Sequence, residues 1–487
     1  MVMAEHFDVL IIGAGLSGVG MACHLRRECP EKRLALWERR HSMGGTWALF
    51  RYPGVRSDSD MFTMGYEFSP WMQPKVLADG NSINDYIAQT ARNFGVDKDV
   101  HYGLRIQQAD WRSSEQQWHV TALHEATGEL RHCSCSFLVS CTGYYNYDQG
   151  HLPQFPGVQD FKGQCVHPQF WPEGLDYRGK KVVIIGSGAT AVTLVPAMAT
   201  DAAHVTMLQR SPTYYLSVPS YEALIKPLAK IFPQRWVYGA LRRGNIVGQR
   251  LIFKFARRWP QALRRMLLSA VQKQLGEGAD MRHFTPRYMP WDERLCVVPD
   301  GDLFKALRSG KASVATDEID TFTAHGIRLK SGATLEADIV ITATGLQLQT
   351  FGGMTISLDG KEAAGNRLLS YKAVLMQNLP NMAFILGTTN ASWTLKADMA
   401  SRYICRLLKH MDAKGLATVT PYADASETTD ANCMSDLGSG YVQRGAGELP
   451  RQGRTGPWRV RHAFESDRTM LLDEPLDDGL LRFTARP

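Results

Sequence analysis

The sequence predicts an α/β protein in which one Rossmann-like unit is nested inside another and carries a helical insertion. Three observations predict it: two strand–turn–helix stretches with glycines at matching spacing, two apolar strands that both end in Thr-Gly, and a long basic segment with helical periodicity. At 487 residues the chain exceeds one hydrophobic core, which fits two or three domains. With 44% hydrophobic and 21% charged residues, its balance is that of a globular protein rather than a disordered one. MVMAEHFDVLIIGAG passes almost directly into a strand pattern, with no charged leader and apolar h-region. No run reaches the roughly 18 apolar residues of a membrane span, so the expectation is a cytoplasmic enzyme. Cys23, Cys29, Cys141 and Cys405 lie among apolar neighbours and read as reduced buried thiols. The CxC of Cys133 and Cys135 fits neither a redox pair nor a zinc ligand set, and no metal site is expected.

The first signature is FDVLIIGAGLSGVGMACHL, a buried strand, a turn with Gly13, Gly15 and Gly18, and a helix. LALWE follows and ends at Glu38, 20 residues beyond Gly18. Gly13 permits the tight turn, Gly15 lets the backbone approach a pyrophosphate, and Gly18 lets the helix pack on the strand. A carboxylate at the end of the second strand can then bond both ribose hydroxyls.

KKVVIIGSGATAVTLVPAM repeats the pattern with Gly186, Gly188 and Ala191, but its next strand, VTMLQ, ends in Arg210 and Ser211 with no acid. A guanidinium and a hydroxyl bind a 2'-phosphate that a carboxylate would repel, so the second unit reads as an NADPH site. Two dinucleotide folds in one chain are the pattern of flavoprotein oxidoreductases, in which one holds FAD and the other delivers hydride to it.

EADIVITATG, ending in Ala343, Thr344 and Gly345, matches FLVSCTG at 137–143 as a return crossing between the units. The expected division is an FAD-binding part at 1–145, a linker at 146–178, an NADPH-binding part at 179–218 and 286–338, and an FAD-binding part with a C-terminal covering segment at 339–487. The insertion, 219–285, interrupts the NADPH unit. Between Tyr221 and Gln274 it has twelve basic residues against the single acid Glu222, a net +11 in a chain of net +7. LIFKFARRW and ALRRMLLSAVQKQL give it helical spacing and one basic face. That face reads either as solvated or as a platform for an anionic membrane surface or an incoming nucleotide phosphate. Nothing resembles a nucleic-acid reading motif.

Two longer stretches name a family. FKGQCVHPQFWP, with Phe161, Gly163, His167 and Trp171, resembles the FxGxxxHxxxW fingerprint of Baeyer-Villiger monooxygenases of the type I, class B flavoprotein group. GGTWALFRYPGVRSD, with Gly45, Trp47 and Asp58, resembles the second fingerprint of the same family. Flavin-containing monooxygenases, the related family, usually lack tryptophan at the position of Trp171. SDSDMFTMGY, GYYNYD and TNASWTLKAD resemble the ethionamide-activating mycobacterial branch, and the resemblance runs along nearly the whole chain, weakening after about residue 412.

The resemblance implies FAD and NADPH as cofactors, with O2 and a ketone as substrates. Oxygen is inserted next to the carbonyl through a flavin C4a-peroxide to give an ester or lactone, and thioethers and thioamides are S-oxygenated on the side. His167 and Trp171 would couple cofactor binding to domain rotation without touching substrate. Arg294 maps onto the active-site arginine that stabilises the anionic oxidant, and Asp58 onto its partner carboxylate. One departure stands out: better-known members place a lysine before that arginine to hold the 2'-phosphate, whereas this chain has Glu293. Arg210 then carries the contact alone, or another basic residue substitutes. The alternatives are a heteroatom oxygenase of the flavin-containing monooxygenase kind, a disulfide reductase, which needs a CxxC this chain lacks, and a non-enzymatic nucleotide sensor.

Overall fold

The computed structural model describes residues 5–485 except 224, 294, 389 and 390, and excepting the side chain of Lys226. The run FDVLII forms Glu5–Ile12, the centre of a parallel sheet. Leu34–Trp37 and Val100–His101 lie on one side of it, Leu130–Ser140 and Met382–Phe384 on the other. Strands buried on both faces read as continuous apolar runs, and Val9, Leu10 and Ile11 are fully buried. An antiparallel meander, Leu104–Arg112 and Gln117–His124, hangs on the opening half of Leu130–Ser140. Because Met382–Phe384 comes from the far side of the second unit, this sheet is built from two separate parts of the chain.

The second sheet is parallel throughout, in the order Ala312–Thr316, His204–Gln209, Lys181–Ile185, Ile339–Thr342 and Gln164–Val166. Two expected boundaries therefore move. Ile339–Thr342, expected to open the return to the first unit at 339, is an inner strand here, flanked by Lys181–Ile185 and Gln164–Val166. A buried IVIT pattern fits an inner position in either parallel sheet, so the pattern cannot choose between them. Gln164–Val166, expected within a linker, is this sheet's edge strand. The chain returns only after Gly345, where Leu346–Leu348 pairs antiparallel with the outgoing Tyr145–Gly150, and Thr355–Leu358 then joins the first sheet beside Leu104–Arg112.

The insertion forms helices Ile225–Ile231, Gln234–Arg258 and Pro260–Leu275. Its long helix docks on the first unit. The Tyr238 hydroxyl donates to the carbonyls of Phe62 and Tyr66, both at 3.2 Å. Arg242 donates to the carbonyls of Phe62 at 2.5 Å and Gly65 at 2.8 Å, which end the short helix Met61–Met64 and have no partner within it. Arg242 is thus 8% exposed and does not belong to the basic face expected of this segment. Asp398, also buried, faces it at 3.6 Å and His24 at 3.3 Å. Arg242→Ala is expected to destabilise the fold by about 3 kcal/mol, because it strands a buried carboxylate and several carbonyls. Thermal unfolding measures it, and an unchanged midpoint would mean the pair contributes nothing.

The C-terminal segment is anchored rather than loose. Leu416–Pro421 pairs with Leu481–Ala485, Trp458 is buried, and Lys396 meets Asp467 at 3.1 Å with both side chains nearly inaccessible.

Candidate functional site

Both glycine turns have the same construction. Gly13 has φ +99°, and a Cβ on it would stand 2.7 Å from the Cys141 carbonyl oxygen. Gly186 has φ +135°, and a Cβ there would stand 2.4 Å from the Ala343 carbonyl oxygen. FLVSCTG and IVITATG therefore occupy equivalent places, each crossing over the glycine turn of its own unit. Gly18 packs its helix so tightly that a Cβ would come within 1.8 Å of the Gly13 carbonyl oxygen. The helix Leu16–Glu28 begins after Gly15 with no side-chain cap, which leaves its first N–H groups free for an anion.

Glu38 ends Leu34–Trp37 with its carboxylate buried, accepting from the N–H of Ala14 at 2.6 Å and of Arg40 at 2.9 Å. Burial raises its pKa, and those two N–H groups oppose the rise. A cleft of about 80 Å³ lies over Gly13, Gly15, Glu38 and Gly45. A turn with no room for a side chain on Gly13 or Gly18, an uncapped helix start and a carboxylate facing one cleft fit a dinucleotide.

In the second unit, Gly188 precedes the helix Ala189–Met198 uncapped, and a Cβ on it would meet nothing within 4 Å. Ala191 is fully buried in that helix. Ser187 donates to the carbonyl of Ser211 at 3.1 Å, tying the turn to the segment that carries Arg210. Arg210 and Ser211 are exposed.

The FxGxxxHxxxW residues lie in the second unit and none lines the large cavity. Phe161 packs edge-on against Phe322, and Trp171 packs on the core around Lys181–Ile185. A Cβ on Gly163 would stand 2.3 Å from the Asp338 carbonyl oxygen, so this glycine lets Gln164–Val166 reach the sheet. His167 accepts from the N–H of Gln169 at 3.2 Å through Nδ1, which leaves Nε2–H to donate to the Gly345 carbonyl at 3.3 Å. Burial lowers its pKa. Thr344 donates to the carbonyl of His151 at 2.5 Å, so Thr344 and Gly345 both tie the return crossing to the outgoing chain.

A cavity of about 1050 Å³ runs from Gly15 and Gly45 past Asp58 and Trp393 to Gly248 and Trp291. Trp47 and Thr46 also line it. Trp393 donates to the Ser17 hydroxyl at 2.9 Å and stacks on Tyr144 at 5.1 Å. Asp58 is exposed on the cavity wall, whereas Arg294 lies outside the described residues. Glu293, next to it, lines the cavity, and burial followed by the neighbouring Asp292 raises its pKa.

Two residues of this region escaped sequence reasoning. Asp60 caps Met61–Met64 and accepts from Gln249 of the insertion at 2.7 Å, tying the two walls of the cavity together; burial raises its pKa. The S/D-x-x-T spacing before MFTM was its only sequence signal. Arg444 comes from the covering segment, with its guanidinium 3.2 Å from where a Cβ on Gly345 would be. Burial, then the charge of Arg210, lowers its pKa. Neither guanidinium has a carboxylate within ion-pair distance among the described residues. Among those residues there is also no group of three or more potential metal ligands.

Known proteins agree with this architecture. The family described as Flavin-binding monooxygenase-like matches residues 6–424. MymA of Mycobacterium tuberculosis, named as a FAD-containing monooxygenase, is 58% identical over 99% of this chain and 98% of its own. EthA of the same organism, a FAD-containing monooxygenase, is 49% identical over 100% and 99%. An oxidized steroid monooxygenase bound to NADP superposes with a TM-score of 0.79 over 99% of this chain and 100% of its own, at 20% identity, which speaks to fold alone. The chain belongs to the flavin-binding monooxygenase-like family, alongside relatives named as FAD-containing monooxygenases, and has the fold of the Baeyer-Villiger enzymes.

Proposed function

We propose that the protein uses NADPH and O2 to insert oxygen next to a ketone carbonyl, giving esters or lactones, and S-oxygenates thioethers and thioamides as a side activity. The observation that carries this reading is one large cavity. Gly15 and Gly45 of the first turn, Asp58 of the second fingerprint, and Glu293 beside Arg294 all border the same space. Gly13, Gly15, Gly18, Glu38, Gly45 and Trp47 would hold FAD. Gly186, Gly188, Ala191, Arg210 and Ser211 would hold NADPH, with Thr344 and Gly345 shaping the crossing beside it. When bound and reduced, FAD supplies the activation of O2.

Arg294 would stabilise the negative charge that develops on the reacting oxygens, since a guanidinium stays charged at every working pH. Asp58 would position that guanidinium by charge-assisted hydrogen bonds. The stack of Tyr144 on Trp393 would keep water from the cavity wall at the Ser17 end.

The test supplies FAD-loaded protein with NADPH, O2 and 2-octanone, cyclohexanone or methyl phenyl sulfide. Esters or lactones are the expected products. Arg294→Ala is expected to lower their formation by about 10²- to 10³-fold while NADPH still reduces the flavin. Sulfoxide without ester from the unaltered protein would instead favour the heteroatom oxygenase, and undiminished ester from the variant would remove Arg294 from the chemistry.

A further inference from the structure

Fourteen large hydrophobic side chains stand exposed among the described residues, and nine of them lie between Tyr221 and Met266, under a tenth of the chain. This stretch also carries a net charge of +10, with eleven basic residues against Glu222. On the helix Gln234–Arg258 the two features share one face. At 100° per residue, Trp236, Arg243, Val247, Leu251, Lys254 and Arg258 fall within a stripe about 100° wide, and all six are exposed. Tyr238, Arg242 and Ala256, on the opposite side, are buried against the body of the protein. Arg243, Lys254 and Arg258 have no carboxylate partner among the described residues, whereas Arg250 pairs with Glu465 and Arg257 with Asp292.

Tryptophan, leucine and valine interleaved with unpaired cations on one helix face suit a surface that is apolar inside and anionic at its boundary. A second copy of the chain would bring two strongly positive faces together, which opposes self-association. A nucleic acid would leave the aliphatic side chains without partners. The stripe also borders the large cavity, because Gly244 and Gly248, which follow Leu251 around the same helix, line that cavity together with the exposed Tyr221. No helix among the described residues is long and apolar enough to cross a membrane, so the contact lies along the surface.

We propose that the insertion docks the protein on an anionic lipid bilayer with the cavity mouth towards the lipid, so that lipophilic ketones enter from the membrane. The choice of substrate class rests on the function proposed above; the docking does not.

The FAD-loaded protein is sedimented with vesicles of phosphatidylcholine alone or of equal parts phosphatidylcholine and phosphatidylglycerol. It is expected to pellet with the anionic vesicles, to bind neutral ones far more weakly, and to be released by high salt. Trp236→Ala/Leu251→Asn is expected to weaken binding about tenfold or more, and Arg243→Gln/Lys254→Gln to abolish the preference for anionic lipid. Both variants should oxidise water-dispersed 2-octanone at the unaltered rate yet act more slowly on a long-chain ketone dissolved in the vesicles. Protein that stays in the supernatant with anionic vesicles overturns the proposal, as does equal binding by the variants. So does a dimer in solution that Trp236→Ala/Leu251→Asn dissociates, which would assign the stripe to a second copy. Vesicle binding without ketone oxidation would remove the proposed function and leave the docking standing.

Discussion

Gly18→Ala is expected to yield protein that folds its second unit but retains less than about a tenth of the FAD. The added Cβ would stand 1.8 Å from the Gly13 carbonyl oxygen and 2.9 Å from the Gly13 carbonyl carbon, where real Cβ atoms essentially never come within 3.0 Å. Both obstructing atoms are backbone, so no side chain can swing away to make room. Either the helix Leu16–Glu28 withdraws from the strand or the turn opens. Gly13 cannot absorb the change, since its φ of +99° already places it under the Cys141 carbonyl. Opening the turn displaces Gly15 and breaks the 2.6 Å bond from Ala14 N–H to Glu38, and with it the cradle for a pyrophosphate and the carboxylate for a ribose. The ratio of flavin to protein absorbance is the measurement. Gly239→Ala is the control: it adds a Cβ that meets nothing within 4 Å, inside a helix where alanine is the better residue by about 1 kcal/mol, and should keep its flavin. Full flavin content in Gly18→Ala would mean that the close packing of helix on strand is not needed for the cofactor.

That prediction rests on a feature the sequence displays openly. A glycine whose neighbours leave no room for a Cβ is a local requirement, and the spacing of Gly13, Gly15 and Gly18 announces it. The duplicated crossing was legible for the same reason, since the Cys141 and Ala343 carbonyls cover equivalent glycines. Sheet membership was not. IVIT satisfies an inner position in either parallel sheet, and only its long-range pairing with Lys181–Ile185 and Gln164–Val166 decides. Periodicity likewise gave the insertion its helices but could not separate Arg242, which serves the carbonyls of Phe62 and Gly65, from its solvent-facing neighbours. Arg444 had no signal at all. It is a lone arginine in a glycine-rich stretch, and it acquires meaning only where the fold brings it to Gly345 and Arg210.

Arg210→Ala/Arg444→Ala is expected to lower kcat/KM for NADPH by about 10²- to 10⁴-fold while changing that for NADH by less than about threefold. The magnitude follows from two charge-assisted hydrogen bonds to a phosphate, each contributing about 1.5–3 kcal/mol, with about 1.4 kcal/mol per factor of ten. NADH lacks that phosphate and so has nothing to lose. Burial first and then the charge of Arg210 lower the pKa of Arg444, and an anion held near both guanidiniums would relieve that repulsion. In the function proposed here such a pair would supply the second positive charge that Glu293 denies at the position before Arg294. Arg444→Ala alone should then reduce NADPH use by about tenfold or more, and the loss should shrink at high salt. The pH dependence has a definite sign. A phosphate monoester loses its second proton near pH 6, so the preference for NADPH over NADH should be full above about pH 7 and decline as pH falls through 6. In the double variant that decline should be absent. Unchanged kinetics in Arg444→Ala would show that the covering segment takes no part in choosing the nucleotide, and would leave Arg210 to discriminate alone.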